Sequence, residues 1–205
     1  MQRHIYVMLS CTNTIMGKLI RVFSHCKYNH ISLASSSSLQ PLYSFARYNH
    51  NSPFVGGFVE ESLCRYLFSK KNTKARVYKI AVDEKTFDDF QLIIKKYSDH
   101  SSEYIYDTFG VFHGDKITNP YQQTCLSFSV FVLKKLLLLS ENTHAKNTKD
   151  FEALLSSYPY VDINLLYEDK DSYVWGNDYY YKKIPYIQVI KSTYLHLKKH
   201  LLPSA

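Results

Sequence analysis

Tyr28-Asn29-His30-Ile31-Ser32-Leu33-Ala34 alternates polar with apolar side chains, and after the break Ser35 to Ser38 the segment Leu42-Tyr43-Ser44-Phe45-Ala46-Arg47 is again rich in β-forming residues. A strand has a side-chain period of two, so His30 and Ser32 belong to one face and Ile31 and Leu33 to the other. The short separation makes a hairpin with the second strand, Leu42 to Tyr48. Upstream, Ile5 to Leu9 reads as a strand. The polar Cys11-Thr12-Asn13-Thr14 then caps a helix from Ile15 to Phe23, in which Ile15, Leu19, Ile20 and Phe23 recur at helical spacing.

Working downstream, Asn49 to Gly57 is a loop by its Asn, Pro and Gly content, and Ala75 to Val82 is the next strand. Asp83 and Glu84 begin a helix that runs through about Tyr97, with Phe87, Phe90, Ile93, Ile94 and Tyr97 on one stripe. Tyr104 to Tyr121 lacks periodicity and ends at Asn119-Pro120. From Thr124 the chain reads as helix to Leu139, with Phe128, Phe131, Val132, Leu136 and Leu139 facing inward; a short helix spans Asp150 to Ser157. Beyond Pro159 the sequence is irregular until an amphipathic, helical stretch from Tyr186 to Leu202. The expectation is an α+β fold, a small antiparallel sheet packed against helices, in a single domain 1–205 with 159–205 as a C-terminal extension packed on it.

Composition agrees. A chain of 205 residues fits one domain, and 45% hydrophobic against 21% charged residues excludes global disorder. The net charge of +7 comes from scattered Lys and Arg, so nucleic acid is not an expected partner. Nineteen Tyr, several in the last third as in Tyr179-Tyr180-Tyr181, read as packing and hydrogen-bonding residues that also suit a groove. Cys11, Cys26, Cys64 and Cys125 have neither C-x-x-C spacing nor His partners at zinc-ligand intervals; free thiols, no metal and no cofactor are expected. No apolar run resembles a signal-peptide core or approaches a membrane span, which makes a cytoplasmic monomer the expectation.

Cys125 is the candidate nucleophile. Thr124 is a fitting N-cap, which makes Cys125 the first helical residue, where the helix terminus favours a thiolate and free N–H groups can hold an oxyanion. A buried core thiol is the competing reading, since free Cys is among the most buried residue types. For the general base, His30 stands out because a strand with a core-like opposite face would fix its ring; His50 and then His113 are the runners-up.

These segments, with Tyr121 and Thr124-Cys125-Leu126-Ser127-Phe128, resemble the circularly permuted NlpC-like branch of papain-fold cysteine hydrolases, which includes YiiX-like proteins. Phe54 to Glu60 also looks like a stretch that recurs in bacterial members. In that branch a strand carries the His first, the next strand carries a polar orienting residue, and the Cys opens a helix far downstream. The resemblance implies a permuted papain-like fold, Cys125 as nucleophile, His30 as base and Ser44 as the orienting residue, with Glu60 and Asn29, or no third member at all, as alternatives. Tyr121 and Gln123 are the candidates for the oxyanion and substrate groove. The implied function is a thiol-dependent peptidase or amidase, with acyltransfer also found among related proteins, acting on a peptide, peptidoglycan-like or lipid acyl substrate. A catalytically weak binding module is the alternative, favoured by the feebleness of Ser44. The basic stretch Tyr186 to Leu202 adds an anionic membrane surface as a further partner class.

Overall fold

Arg3–Ser10 (β1) is the axis of the fold: in a computed structural model of the chain it lies between two antiparallel neighbours, with Ile5, Val7 and Leu9 buried on one face and Met8 on the other. The structure describes residues 2–201 apart from 53, 68, 109, 111–113, 118, 169–179, 181 and 183. Six strands form one antiparallel sheet. In spatial order these are Gly56–Glu61 (β4), Leu42–Arg47 (β3), His30–Ala34 (β2), β1, Thr73–Val82 (β5) and Tyr160–Leu165 (β8). A separate parallel pair joins Ile105–Tyr106 (β6) to Gln122–Gln123 (β7).

Five α-helices are present among the described residues, so the fold is α+β. Ile15–Ser24 (α1) is capped by Thr14, whose hydroxyl accepts the Gly17 N–H, and Glu84–Asp99 (α2) by Asp83, which accepts from Thr86. Cys125–Lys135 (α3), Thr148–Leu154 (α4) and Tyr186–Leu201 (α5) complete the set. Phe90, Ile94 and Tyr97 of α2 and Phe128, Val132 and Leu133 of α3 pack with Ile31, Leu33, Phe45 and Phe58 into the larger core. The smaller core lies on the other side, where a 3₁₀ turn, Leu63–Leu67, sets Leu63, Tyr66 and Leu67 against Met8, Leu42 and Val77.

Four expectations change. Gly56–Glu61 is a strand rather than the end of a loop, paired with β3 from Leu42↔Glu61 to Arg47↔Gly56. Tyr160–Leu165 is regular too: it pairs with β5 from Thr73↔Leu165 to Tyr78↔Tyr160, so part of the expected C-terminal extension is the sixth strand of the sheet. The helix of Cys125 stops at Lys135 because Leu137 turns left-handed, at φ 57°, with its side chain 86% exposed. The short helix also starts earlier than Asp150, because Asn147 accepts from the Lys149 and Asp150 N–H groups and so nucleates it at Thr148.

Candidate active site

The parallel β6–β7 pair ends directly before Cys125. Asp107 N–H donates to the Gln123 carbonyl at 2.8 Å, so the chain enters α3 tied beside Tyr106. A reciprocal cap then starts the helix: Thr124 Oγ1 accepts the Ser127 N–H at 3.0 Å, and Ser127 Oγ accepts the Thr124 N–H at 2.9 Å. The backbone N–H groups of Cys125 and Leu126 are first-turn donors with no intrahelical acceptor. Cys125 is 7% exposed.

His30 opens β2, and its ring is shared by two partners. Nε2 lies 3.0 and 3.1 Å from the two oxygens of Glu61, on β4, and Cys125 lies near enough to act on the same ring. Burial opposes charging of the imidazole, but Glu61 and Cys125 outweigh it and push His30 up to about 10.

Glu61 is only 2% exposed in its side chain, so it must be fully hydrogen-bonded to stay ionised. Besides His30 it accepts from Ser32 Oγ at 2.8 Å, Tyr66 OH at 2.7 Å and Arg65 Nη1 at 3.1 Å. Burial raises a carboxyl; here His30 first, then Arg65 and Tyr66, reverse that and hold Glu61 well below the usual carboxylate range. Burial, reinforced by Glu61, drives Tyr66 upward, so it stays a phenol and remains a donor. A buried carboxylate held by four donors is a rigid, negatively charged support for an imidazolium.

A cavity of about 120 Å³ opens onto His30, Glu61, Tyr106 and Arg47. Cys125 is not part of its lining. Tyr106 joins the two, since it lines the cavity and pairs in register with Gln123, two residues before Cys125; burial first, and then Cys125, push its pKa up. Among the described residues no group of His, Cys, Asp and Glu is placed to hold a metal ion.

No protein-family model, curated protein or solved structure matches the chain.

The structure thus brings Cys125 and His30 together and places the other expected site residues elsewhere. Ser44 does not orient His30: its hydroxyl donates to the Ile31 carbonyl at 2.6 Å, satisfying a backbone acceptor where β2 and β3 share a single register pair, Leu33↔Tyr43. Gln123 Nε2 has both hydrogens engaged, by Tyr97 OH and the Pro120 carbonyl, each at 2.9 Å, and has none left for an oxyanion. Tyr121 is 50% exposed, lies against the Tyr104 ring and does not line the cavity. Of the alternatives, Glu60 accepts from Ser98 on the opposite face, Asn29 is bonded to Arg21 and Thr12, and His50 is 2.7 Å from the Tyr180 carbonyl. His113 lies outside the described residues.

Glu61 and Tyr106 are the site residues that the sequence reading misses. For Glu61 a signal exists: in Phe58-Val59-Glu60-Glu61 the period of two puts Glu60 on the face of Phe58, toward α2, and Glu61 on the face of Val59, toward His30 and Ser32. Tyr106 carries no such signal, since a two-residue strand has no measurable period.

Proposed function

We propose that the protein is a thiol-dependent hydrolase of permuted papain-like type, with Cys125 as nucleophile, His30 as general base and acid, and Glu61 as the orienting carboxylate. The observation that supports this reading is the His30 ring, bonded to the buried, four-donor Glu61 and near Cys125. An imidazolium beside a carboxylate is the environment that favours a neighbouring thiolate. The feature that favoured an inactive binding module was a weak third member, and Glu61 takes the place assigned to Ser44.

In this mechanism His30 accepts the thiol proton and the Cys125 sulfur forms a bond to an acyl carbon. The carbonyl oxygen becomes an oxyanion held by the Cys125 N–H and the Tyr106 phenol. His30 then donates its proton to the leaving amine or alcohol as the carbonyl reforms. Water, deprotonated by His30, attacks the acyl-enzyme and releases the acid and the free thiol. A peptide, peptidoglycan-like or lipid acyl group fits this chemistry, and replacing water by another nucleophile gives acyltransfer.

The test is alkylation by a thiol-directed activity probe with the labelled residue identified by mass spectrometry. The wild type labels at Cys125, Cys125→Ala loses that label, and His30→Ala slows it by roughly 10²-fold or more. Equal labelling of all three proteins sinks the proposal. Because Cys125 is nearly buried, the probe must be small.

A further inference from the structure

The cavity beside His30 has an unbalanced charge. Glu61 is the single carboxylate among its described lining residues, and it is already engaged by His30, Arg65, Ser32 and Tyr66. The same lining holds two guanidinium groups and the His30 imidazole. Arg65 is accounted for: it bonds Glu61 at 3.1 Å and lies over the Tyr180 ring at 4.5 Å.

Arg47 is different. It is half-buried at the end of β3, and its two hydrogen bonds, to the His50 carbonyl and the Tyr180 hydroxyl, are both 3.4 Å long. That is beyond the usual range for an N–H donor, and a guanidinium carries five N–H groups. Among the described residues no carboxylate pairs with it; Asp107, the nearest acid in sequence to Tyr106, instead accepts the Gly110 N–H at 2.7 Å. A partly desolvated cation without an acid is unfavourable unless something anionic joins it. Arg47 lines the same cavity as Tyr106, and Tyr106 pairs in register with Gln123, two residues before Cys125, so the cation and the helix start of Cys125 lie on either side of that short strand pair. The volume, near the ~150 Å³ of cavities that admit a benzene ring, suits a side-chain-sized fragment rather than a polymer.

We propose that Arg47 forms an anion subsite in this cavity, selecting acyl substrates that carry a carboxylate or phosphate group close to the scissile carbonyl. This rests on Cys125 being the nucleophile. The guanidinium fork is suited to either group, because both present two oxygens to paired N–H donors.

Iodoacetate and iodoacetamide read the subsite directly, since both alkylate a thiolate with loss of iodide and differ in charge. In the wild type Cys125 prefers iodoacetate, and Arg47→Gln lowers the iodoacetate-to-iodoacetamide rate ratio by about tenfold, the loss of one charge-assisted hydrogen bond. Arg47→Lys, which keeps the charge, retains a ratio above that of Arg47→Gln. The neutral reagent's rate certifies an intact site in each variant. In the wild-type protein alone, acetate or inorganic phosphate slows the iodoacetate reaction: protection by acetate assigns a carboxylate ligand, protection by phosphate alone assigns a phosphate, and protection by neither overturns the subsite. A Cys125 that reacts with iodoacetamide no faster than the unfolded chain overturns the nucleophile instead. A fast iodoacetamide reaction with a ratio unchanged in Arg47→Gln overturns the role of Arg47 and leaves the nucleophile standing.

Discussion

The two faces of the sheet differ in what they carry beside their apolar cores. On one, Phe45, Phe58, Phe128, Tyr97 and Tyr104 meet ring against ring, with centroids from 4.4 Å for Tyr97–Tyr104 to 6.1 Å for Phe45–Phe58. On the other, Glu61 draws His30, Ser32, Tyr66 and Arg65 into one polar knot. Aromatic packing contributes stability chiefly through burial, with about 0.5–1.5 kcal/mol more for each well-oriented pair of rings. A buried carboxylate with a buried imidazole is costly to desolvate and is weak support for a fold as such. The aromatic face holds the sheet by burial, and the face of the smaller apolar core also carries the polar knot.

The sharpest way to break this contrast is to remove one member from each face. Glu61→Ala leaves His30 and Arg65 as buried cations without their anion, and is expected to cost about 3–5 kcal/mol. Phe128→Ala opens a cavity and costs a similar ~3–5 kcal/mol. Their effects on Cys125 part company: Glu61→Gln, which keeps the shape of the site, slows labelling by roughly 10²–10⁴-fold through loss of the orienting charge, whereas a Phe128→Leu change costs stability with labelling little altered. Denaturant unfolding and alkylation rates on the same preparations check both. Equal labelling rates in Glu61→Gln and wild type remove Glu61 from the mechanism.

Dependence on pH separates the faces more finely. His30 is raised from 6.5 to about 10, so its stabilisation is complete below about 6.5 and is lost as pH rises through about 10. Glu61 is lowered from 4.5, so its contribution is present above about 4.5 and lost as pH falls below that. The stability difference between wild type and Glu61→Gln is therefore expected to be greatest between about pH 4.5 and 6.5 and to shrink on either side. The difference caused by Phe128→Ala stays flat over the same range, since no titrating group is removed. A flat profile for both variants shows that the knot is not an ion pair.

How far this was legible in the sequence follows from what each residue's neighbours must be. The alternation around His30, the cap at Thr124 and the stripe of α2 are local, and local patterns dictate β2, α3 and α2 within a few residues. Partners that meet across the sheet are not local. Glu61 reaches His30 from two strands away, and a one-residue shift of face separates it from Glu60. Tyr160–Leu165 looks irregular because an edge strand with one solvated face has little apolar pattern; its first three residues are exposed. Tyr106 enters the site only because β6 pairs with the residues just before the helix of Cys125, and no spacing rule encodes that pairing.

The smallest effect concerns Ser44, and it tests which residue truly orients the imidazole. Ser44 is fully buried and its hydroxyl donates to the Ile31 carbonyl, so Ser44→Ala leaves one backbone acceptor unsatisfied and is expected to cost about 1–2 kcal/mol. The rate of Cys125 alkylation should stay within about twofold of wild type, because nothing between Glu61, His30 and the sulfur has been altered; a rate change of that size corresponds to only ~0.4 kcal/mol. The reverse pattern, unchanged stability with a large fall in labelling, would return the orienting role to Ser44. It would also leave Glu61 as a purely structural anion for Arg65 and Tyr66. The two outcomes are separated by one substitution because the hydroxyl has a single good acceptor at 2.6 Å, and its next contact, the Phe45 carbonyl at 3.4 Å, is again backbone.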